Sequence, residues 1–390
     1  MSYLREPIGR LGNLRMEFRM AQSHSSQPNH MIPEPLSVPD VSAGRVVNWP
    51  HVWAYIGLSF GLAWLIDLVL YLNGGLKNPG TSLMLQFQML MPAFAALLLG
   101  VFFFKDSLVH RKTNHTASRW FIYYYFLMTF AYLIAAVTVM IQPALATTLS
   151  ASMLIFSVVG LVLLVILRWR GGPQSFAGAG MAFGSFRIWM LYGLGMLLFY
   201  GLETLLNYLF KFGTLADITK LYPPGAIAAI PPMGLLAAAF FNAVIIGPFL
   251  GLIITFGEEY GWRGYLQSEF IHLGRIRGVG LLGIIWGVWH WPIIWMGYNY
   301  PGQPVLGPLL MTAYTVALSY FLAYAVFKSK GVWTAAYLHA LNNQVLSFFM
   351  VAVVTPVSIV MSFGIGVPGL VLCALVILLI LRDPIWKETD

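Results

Sequence analysis

An all-α, polytopic transmembrane helical bundle of about ten spans is the fold class that three features of the sequence predict. The first is composition: of 390 residues, 59% are hydrophobic and 9% charged, whereas a soluble domain carries roughly 25% charged residues. The second is the recurrence of apolar windows near or above the roughly 18 to 20 residues that cross the hydrocarbon core as a helix. The third is charge asymmetry. The N-terminal stretch, alternate loops and the C-terminus hold all but Lys77, Lys211 and Lys220 of the 22 Lys and Arg residues. An even number of spans with both termini on the cytoplasmic side satisfies that bias.

Taken in order, residues 1–48 are polar, contain Arg5, Arg10, Arg15, Arg19 and Arg45, and lack an apolar core. They read as a cytoplasmic tail rather than a signal peptide. The stretch RLGNLRMEFRM reads as a disordered arm or a short helix on the membrane surface. Ten apolar segments follow at roughly 51–73, 82–104, 120–141, 149–167, 188–210, 233–256, 278–297, 305–327, 332–354 and 357–381. FGEEYGWRGYLQSEF has no proline, so the sixth helix is expected to continue to about Leu266, with its break nearer HLGRIRG. The organisation expected is a tail at 1–48, N-terminal transmembrane helices at 49–232, a core at 233–354, and a last span with a cytoplasmic end at 355–390.

The net charge of +8 is spread over loops and the tail; it reports topology and does not form a nucleic-acid-binding face. The single cysteine, Cys373, lies in an apolar run, which excludes an intrachain disulfide and leaves a thiol nucleophile without a polar neighbour.

Charged groups inside spans cost a few kcal/mol or more, about 2.5–3.5 on insertion scales, and each needs a partner or a purpose. Asp67 and Glu203 stand alone, apart from Asn207 four residues after Glu203, and structural or interfacial roles are expected for both. The segment FGEEYGWRGYL differs. Glu259 and Arg263 are four apart, in the order that favours an ion pair on one helix face. Glu258 is turned about 100° away by the helix period and is free to face the interior, where an unpaired carboxylate suits general-base work on water. The bland alternative is an ion-pair cluster that locks helix ends.

Two later segments weigh against it. GIIWGVWHWPIIW puts His290 in the seventh span, one turn after Trp286, and AAYLHALNNQVLSFF puts His339 in the ninth, with Asn343 four residues on and Asn342 rotated away. At 1.5 Å per residue, Glu258 lies about 12 Å from Leu266, His339 about 13 Å past Lys330 and His290 about 20 Å past Arg277, so tilted helices can bring them into one pocket.

These residues resemble the CAAX protease and bacteriocin-processing (CPBP) family, the intramembrane proteases related to the Ras-converting CAAX endopeptidase. The motifs occur in order: Glu258-Glu259-x-x-x-Arg263, Trp286-x-x-x-His290, and His339-x-x-x-Asn343. The resemblance covers about residues 240–350; many members carry Phe where this chain has Trp286. It implies an all-helical bundle with a CAAX-protease-like core, a water-filled conical cavity, and endoproteolysis of a membrane-associated protein or peptide, prenylated in the CAAX case.

Peptide hydrolysis needs a nucleophile, a proton acceptor and oxyanion donors. H-E-x-x-H is absent, and the one G-x-S-x-G, Gly57-Leu58-Ser59-Phe60-Gly61, lies inside the first apolar segment and not at the strand-to-helix turn a serine nucleophile needs. Glu258 is therefore the expected base, His290 its partner on the attacking water, and His339 with Asn343 the oxyanion donors, while Arg263 orients the site through Glu259. No cofactor is required on this reading. Glu258, His290 and His339 are also ligands of the kind catalytic zinc uses with one open position, so a metalloprotease stays open. Two other classes compete: a non-catalytic scaffold or bacteriocin-immunity protein of the same family, against which the complete motif set weighs, and a transporter, which would spread polar groups along a path instead of gathering them on three helices. The partners expected are the substrate and the lipid bilayer.

Overall fold

The computed structural model describes residues 46–104, 116–172, 174–221 and 230–388. The N-terminal tail up to residue 45, including RLGNLRMEFRM, lies outside the described residues. The chain is an all-α polytopic bundle, and helix occupies part or all of each of the ten expected segments. Seven helices are long and apolar enough to cross a membrane. Six of these are α1 (Trp49–Leu72), α2 (Thr81–Phe103), α3 (Thr116–Ile141), α4 (Ala146–Gly171), α5 (Phe186–Leu209) and α6 (Pro232–Leu273).

The seventh expected segment is divided. Pro292 has no N–H to return to the Val288 carbonyl, so α7 (Arg275–Trp289) stops before His290 and a short α8 (Trp291–Trp295) resumes after it. His290 thus sits at a break, not in mid-helix. The long α9 (Leu306–Ser329) completes the seven. The last two segments are shorter than a full span. The helix α10 (Val332–Ser347) passes through a π turn into a short strand, and α11 (Val367–Ile380) starts only after an irregular stretch in which Gly364 takes a φ of +95°. One antiparallel pair, β1 (Gly213–Leu215) with β2 (Val354–Pro356), sets Thr214 opposite Thr355.

Burial shows which helices are central. Every residue from Leu252 to Arg263 in α6 and from Val332 to Asn342 in α10 is buried, and these two helices pack extensively on each other, as α7 does on α9. By contrast α3, α4 and α5 leave large apolar side chains such as Leu127, Val165 and Leu198 on the outside, as lipid-facing helices do. The helix α6 continues past Leu266 to Leu273 and ends at Gly274, whose φ of +89° turns the chain. The acidic pair therefore lies inside a helix, as its sequence predicts.

α2 is held against α6 by backbone contact. A Cβ on Gly257 would come within 2.4 Å of the Met89 carbonyl oxygen, and one on Gly261 within 2.4 Å of Pro92 Cβ. Pro92 cannot donate to the Gln88 carbonyl, and α2 turns at Leu90, whose carbonyl accepts from Tyr125 Oη at 2.9 Å. Gly257→Ala is expected to destabilise the fold by about 1–3 kcal/mol through overpacking, read as a lowered melting temperature in detergent.

The C-terminal segment is clasped to the end of α9. Trp386 packs on Tyr320, Tyr324 and Phe327, and Asp383 accepts from Lys328 Nζ at 2.6 Å and Tyr324 Oη at 2.8 Å. The Lys328 contact, with the Ile385 amide, holds the Asp383 carboxyl down at about 2. A carboxyl depressed in the folded state stabilises it above the ordinary carboxylate range, and that support is lost as pH falls through the folded value. Hydrogen-exchange protection of residues 383–388 is accordingly expected to hold at pH 5 and to fail as pH drops from about 4 towards 2.

Candidate active site

α6 carries Glu258, Glu259 and Arg263 into the centre of the bundle, where all three are nearly inaccessible. Arg263 Nη1 donates to Glu259 Oε1 at 3.0 Å, the contact expected of the four-residue spacing. The guanidinium also donates from Nη2 to Ser319 Oγ on α9 at 3.1 Å and lies 4.3 Å from the centre of the Trp286 ring. These contacts offset part of the cost of burying the pair, although Glu259 Oε2 and Arg263 Nε have no hydrogen-bond partner among the described residues.

Glu258 has a different set of neighbours. Its Oε2 accepts from Trp286 Nε1 on α7 at 2.8 Å. Phenylalanine at position 286 would have no N–H to offer, so tryptophan there supplies a contact to the acid itself. The same indole ring stands edge-on to His339, 5.4 Å between centres. Trp286 therefore touches the carboxylate, the arginine and a histidine at once.

The two histidines are each fixed through Nδ1. His290 Nδ1 is 2.8 Å from the Trp286 carbonyl. A carbonyl only accepts, so Nδ1 carries the proton and Nε2 is left as an acceptor in the neutral ring. His339 Nδ1 lies 2.8 Å from Glu259 Oε1. Glu259 is thus not confined to neutralising Arg263; it also holds a histidine of the site.

One cavity of about 370 Å³ is lined by Glu258, Trp286, His290, His339 and Asn343, and also by Gln88 of α2. That volume lies in the range of small-molecule and peptide-side-chain pockets. Asn342, rotated away from Asn343 by the helix period, still borders the cavity. Its Oδ1 accepts from Tyr314 Oη at 3.0 Å and Tyr200 Oη at 2.5 Å, and its Nδ2 approaches Asn343 Oδ1 at 3.4 Å. Asp67 and Glu203 do not line it. Sequence reasoning passed over Gln88, Ser319, Tyr200 and Tyr314; none carries a spacing signal, because each meets the site from a helix far away in the chain.

Among the described residues no three His, Cys, Asp or Glu side chains are grouped as a bound metal would require, and Glu258, His290 and His339 do not form such a group.

An acid, two imidazoles and an amide around one cavity, inside a bundle of apolar helices, define a class: integral, multi-pass membrane proteins with a polar, reaction-sized site among their spans. Residues 235–345, somewhat under a third of the chain, match the Rce1-like family model, described as type II CAAX prenyl endopeptidase Rce1-like. The match gives residues 235–345 a Rce1-like domain, which indicates a CAAX-type intramembrane protease and is consistent with the CPBP family. The matched stretch contains Glu258, His290, His339 and Asn343. Comparison with curated proteins and with solved structures gives no match.

Proposed function

We propose that this protein is an intramembrane endopeptidase in which Glu258 is the general base that activates water against a peptide bond of a membrane-anchored substrate. The observation that carries the reading is the single cavity bordered by Glu258, His290, His339 and Asn343. Trp286 occupies Glu258 Oε2 and leaves Oε1 to take a proton from water. The acceptor Nε2 of His290 holds the second water hydrogen and so aims the oxygen lone pair at the scissile carbonyl. As the carbonyl oxygen gains charge, the Asn343 amide and the Nε2–H of His339 donate to it, with Glu259 balancing the charge of a protonated ring. Glu258 then passes its proton to the leaving amine. Water, proton and peptide are all accounted for without a cofactor, and no step runs through a metal.

The positive-inside bias supports both termini on the cytoplasmic side, which makes a cytoplasmically exposed, membrane-tethered chain end the substrate proposed; a prenylated CAAX-type end fits the family described above. Residues 233–354 would form the catalytic core, with the preceding helices walling it and the lipid bilayer as the surrounding partner. The decisive experiment compares, by peptide mass spectrometry, membranes containing the wild type with membranes containing Glu258→Ala. A cleavage product present only with the wild type identifies reaction and substrate together. Identical peptide inventories would reject the endopeptidase reading and favour a scaffold.

A further inference from the structure

Asp67 is a carboxylic acid in the C-terminal part of α1, 1% exposed and, among the described residues, without a salt-bridge partner. Its partner is Gln88 of α2, whose Nε2 donates to Asp67 Oδ2 at 2.8 Å; Asp67 Oδ1 has no partner among the described residues. An acid kept in an apolar span at a cost of a few kcal/mol calls for a use. The contact itself supplies one. A carboxylate accepts and does not donate, so it draws the amide nitrogen of Gln88 towards itself and turns the amide oxygen the other way.

Gln88 borders the cavity that Glu258 borders. Its distance from that acid is set by main chain: α2 and α6 touch where Gly257 meets the Met89 carbonyl, each residue adjacent in sequence to the one that matters. A peptide that leaves water for this cavity takes backbone N–H groups into an apolar surrounding, where each needs an acceptor. In the proposed step His339 and Asn343 are engaged as donors to the carbonyl, and Asn343 Oδ1 already lies 3.4 Å from Asn342 Nδ2.

We propose that Gln88 is a substrate-binding residue: with its amide held by Asp67, its Oε1 accepts a hydrogen bond from a backbone N–H of the extended peptide lying beside Glu258. This rests on the endopeptidase reading. Asp67 is then a positioning residue, and helices outside the 235–345 domain contribute to substrate recognition.

The test uses the full-length protein in detergent and a fluorogenic, farnesylated CAAX-type peptide. Each non-scissile backbone amide near the cleavage point is replaced in turn by an ester, which removes one N–H. The expected result is that one ester position costs the wild type about tenfold in kcat/KM, through KM, which is the worth of one neutral hydrogen bond. Gln88→Leu shows that same rise of about tenfold in KM with the all-amide peptide, keeps kcat, and is indifferent to that ester. Asp67→Asn, which can donate as well as accept, lets the amide turn and lowers the ester discrimination part of the way; a merely structural role for Asp67 would shift the melting temperature and leave the ratio alone. Should Gln88→Leu fail to fold, the ester ratio of Asp67→Asn decides by itself. Equal ester costs in wild type and variants at every position, or a loss confined to kcat, overturns the assignment while the endopeptidase reading stands. A wild type no more active on this peptide than Glu258→Gln overturns both.

Discussion

Glu258→Gln is expected to abolish hydrolysis in a protein that still folds. Glutamine keeps the size of the side chain and can still accept from Trp286 Nε1 through its amide oxygen, so the 2.8 Å contact to α7 survives. What it cannot do is take a proton from water, and loss of a general base costs about 10²- to 10⁴-fold in rate. The expected outcome is a fall of that size in kcat, with KM, melting temperature and membrane accumulation unchanged. Activity of the variant within a few-fold of the wild type would mean that another group deprotonates the water. The same variant separates an enzyme from a scaffold, because a scaffold keeps its phenotype without the base.

Glu259→Gln produces the opposite pattern, although the two acids are neighbours. Glu259 Oε1 meets both Arg263 Nη1 and His339 Nδ1, and the side chain is wholly inaccessible. Removing the carboxylate strands the Arg263 charge among apolar helices, a loss of about 3–5 kcal/mol. Against a total stability of about 5–15 kcal/mol, that is enough to reduce accumulation sharply, measured by fluorescence-detected size exclusion and thermal unfolding. Replacing both partners, Glu259→Gln with Arg263→Met, removes the stranded charge and is expected to recover part of the stability. It does not recover activity, because His339 remains without its carboxylate. If Glu258→Gln and Glu259→Gln behave alike in stability and in rate, the division of roles between the adjacent acids is wrong.

These two results probe the same few ångströms in different ways because Trp286 joins the groups concerned. The indole bonds to Glu258, lies over Arg263 and stands edge-on to His339. The acid proposed as base and the acid expected to carry structure thus share one rigid support, of the kind that holds reacting groups in place without motion at the moment of reaction.

Much of this was legible in the chain as written. Length and apolarity of windows foretell helices, because the cost of burying backbone polar groups in lipid leaves a segment few alternatives. The Glu259–Arg263 pair and the passage of α6 through the acidic motif follow from helical spacing, which is local. The order of the Glu, His and Asn motifs along the chain carries the resemblance that implies hydrolysis. Pro292 was visible too, yet its effect, ending α7 so that His290 sits at a break, depends on a missing hydrogen bond and not on hydropathy.

Packing across the bundle decided the rest. That Trp286 reaches Glu258, that His339 reaches Glu259, and that Asp67 finds Gln88 are contacts between helices 28, 80 and 21 residues apart in the chain. Spans that are apolar on all sides show no face that names a neighbour, since lipid and protein are equally oily surroundings for them. Their arrangement is set by small residues that let backbones touch, as at Gly257 and Gly261, and by polar groups that have no other partner within reach. Local spacing could therefore single out the candidate residues of this protein, while only the assembled helices could say which of them hold one another.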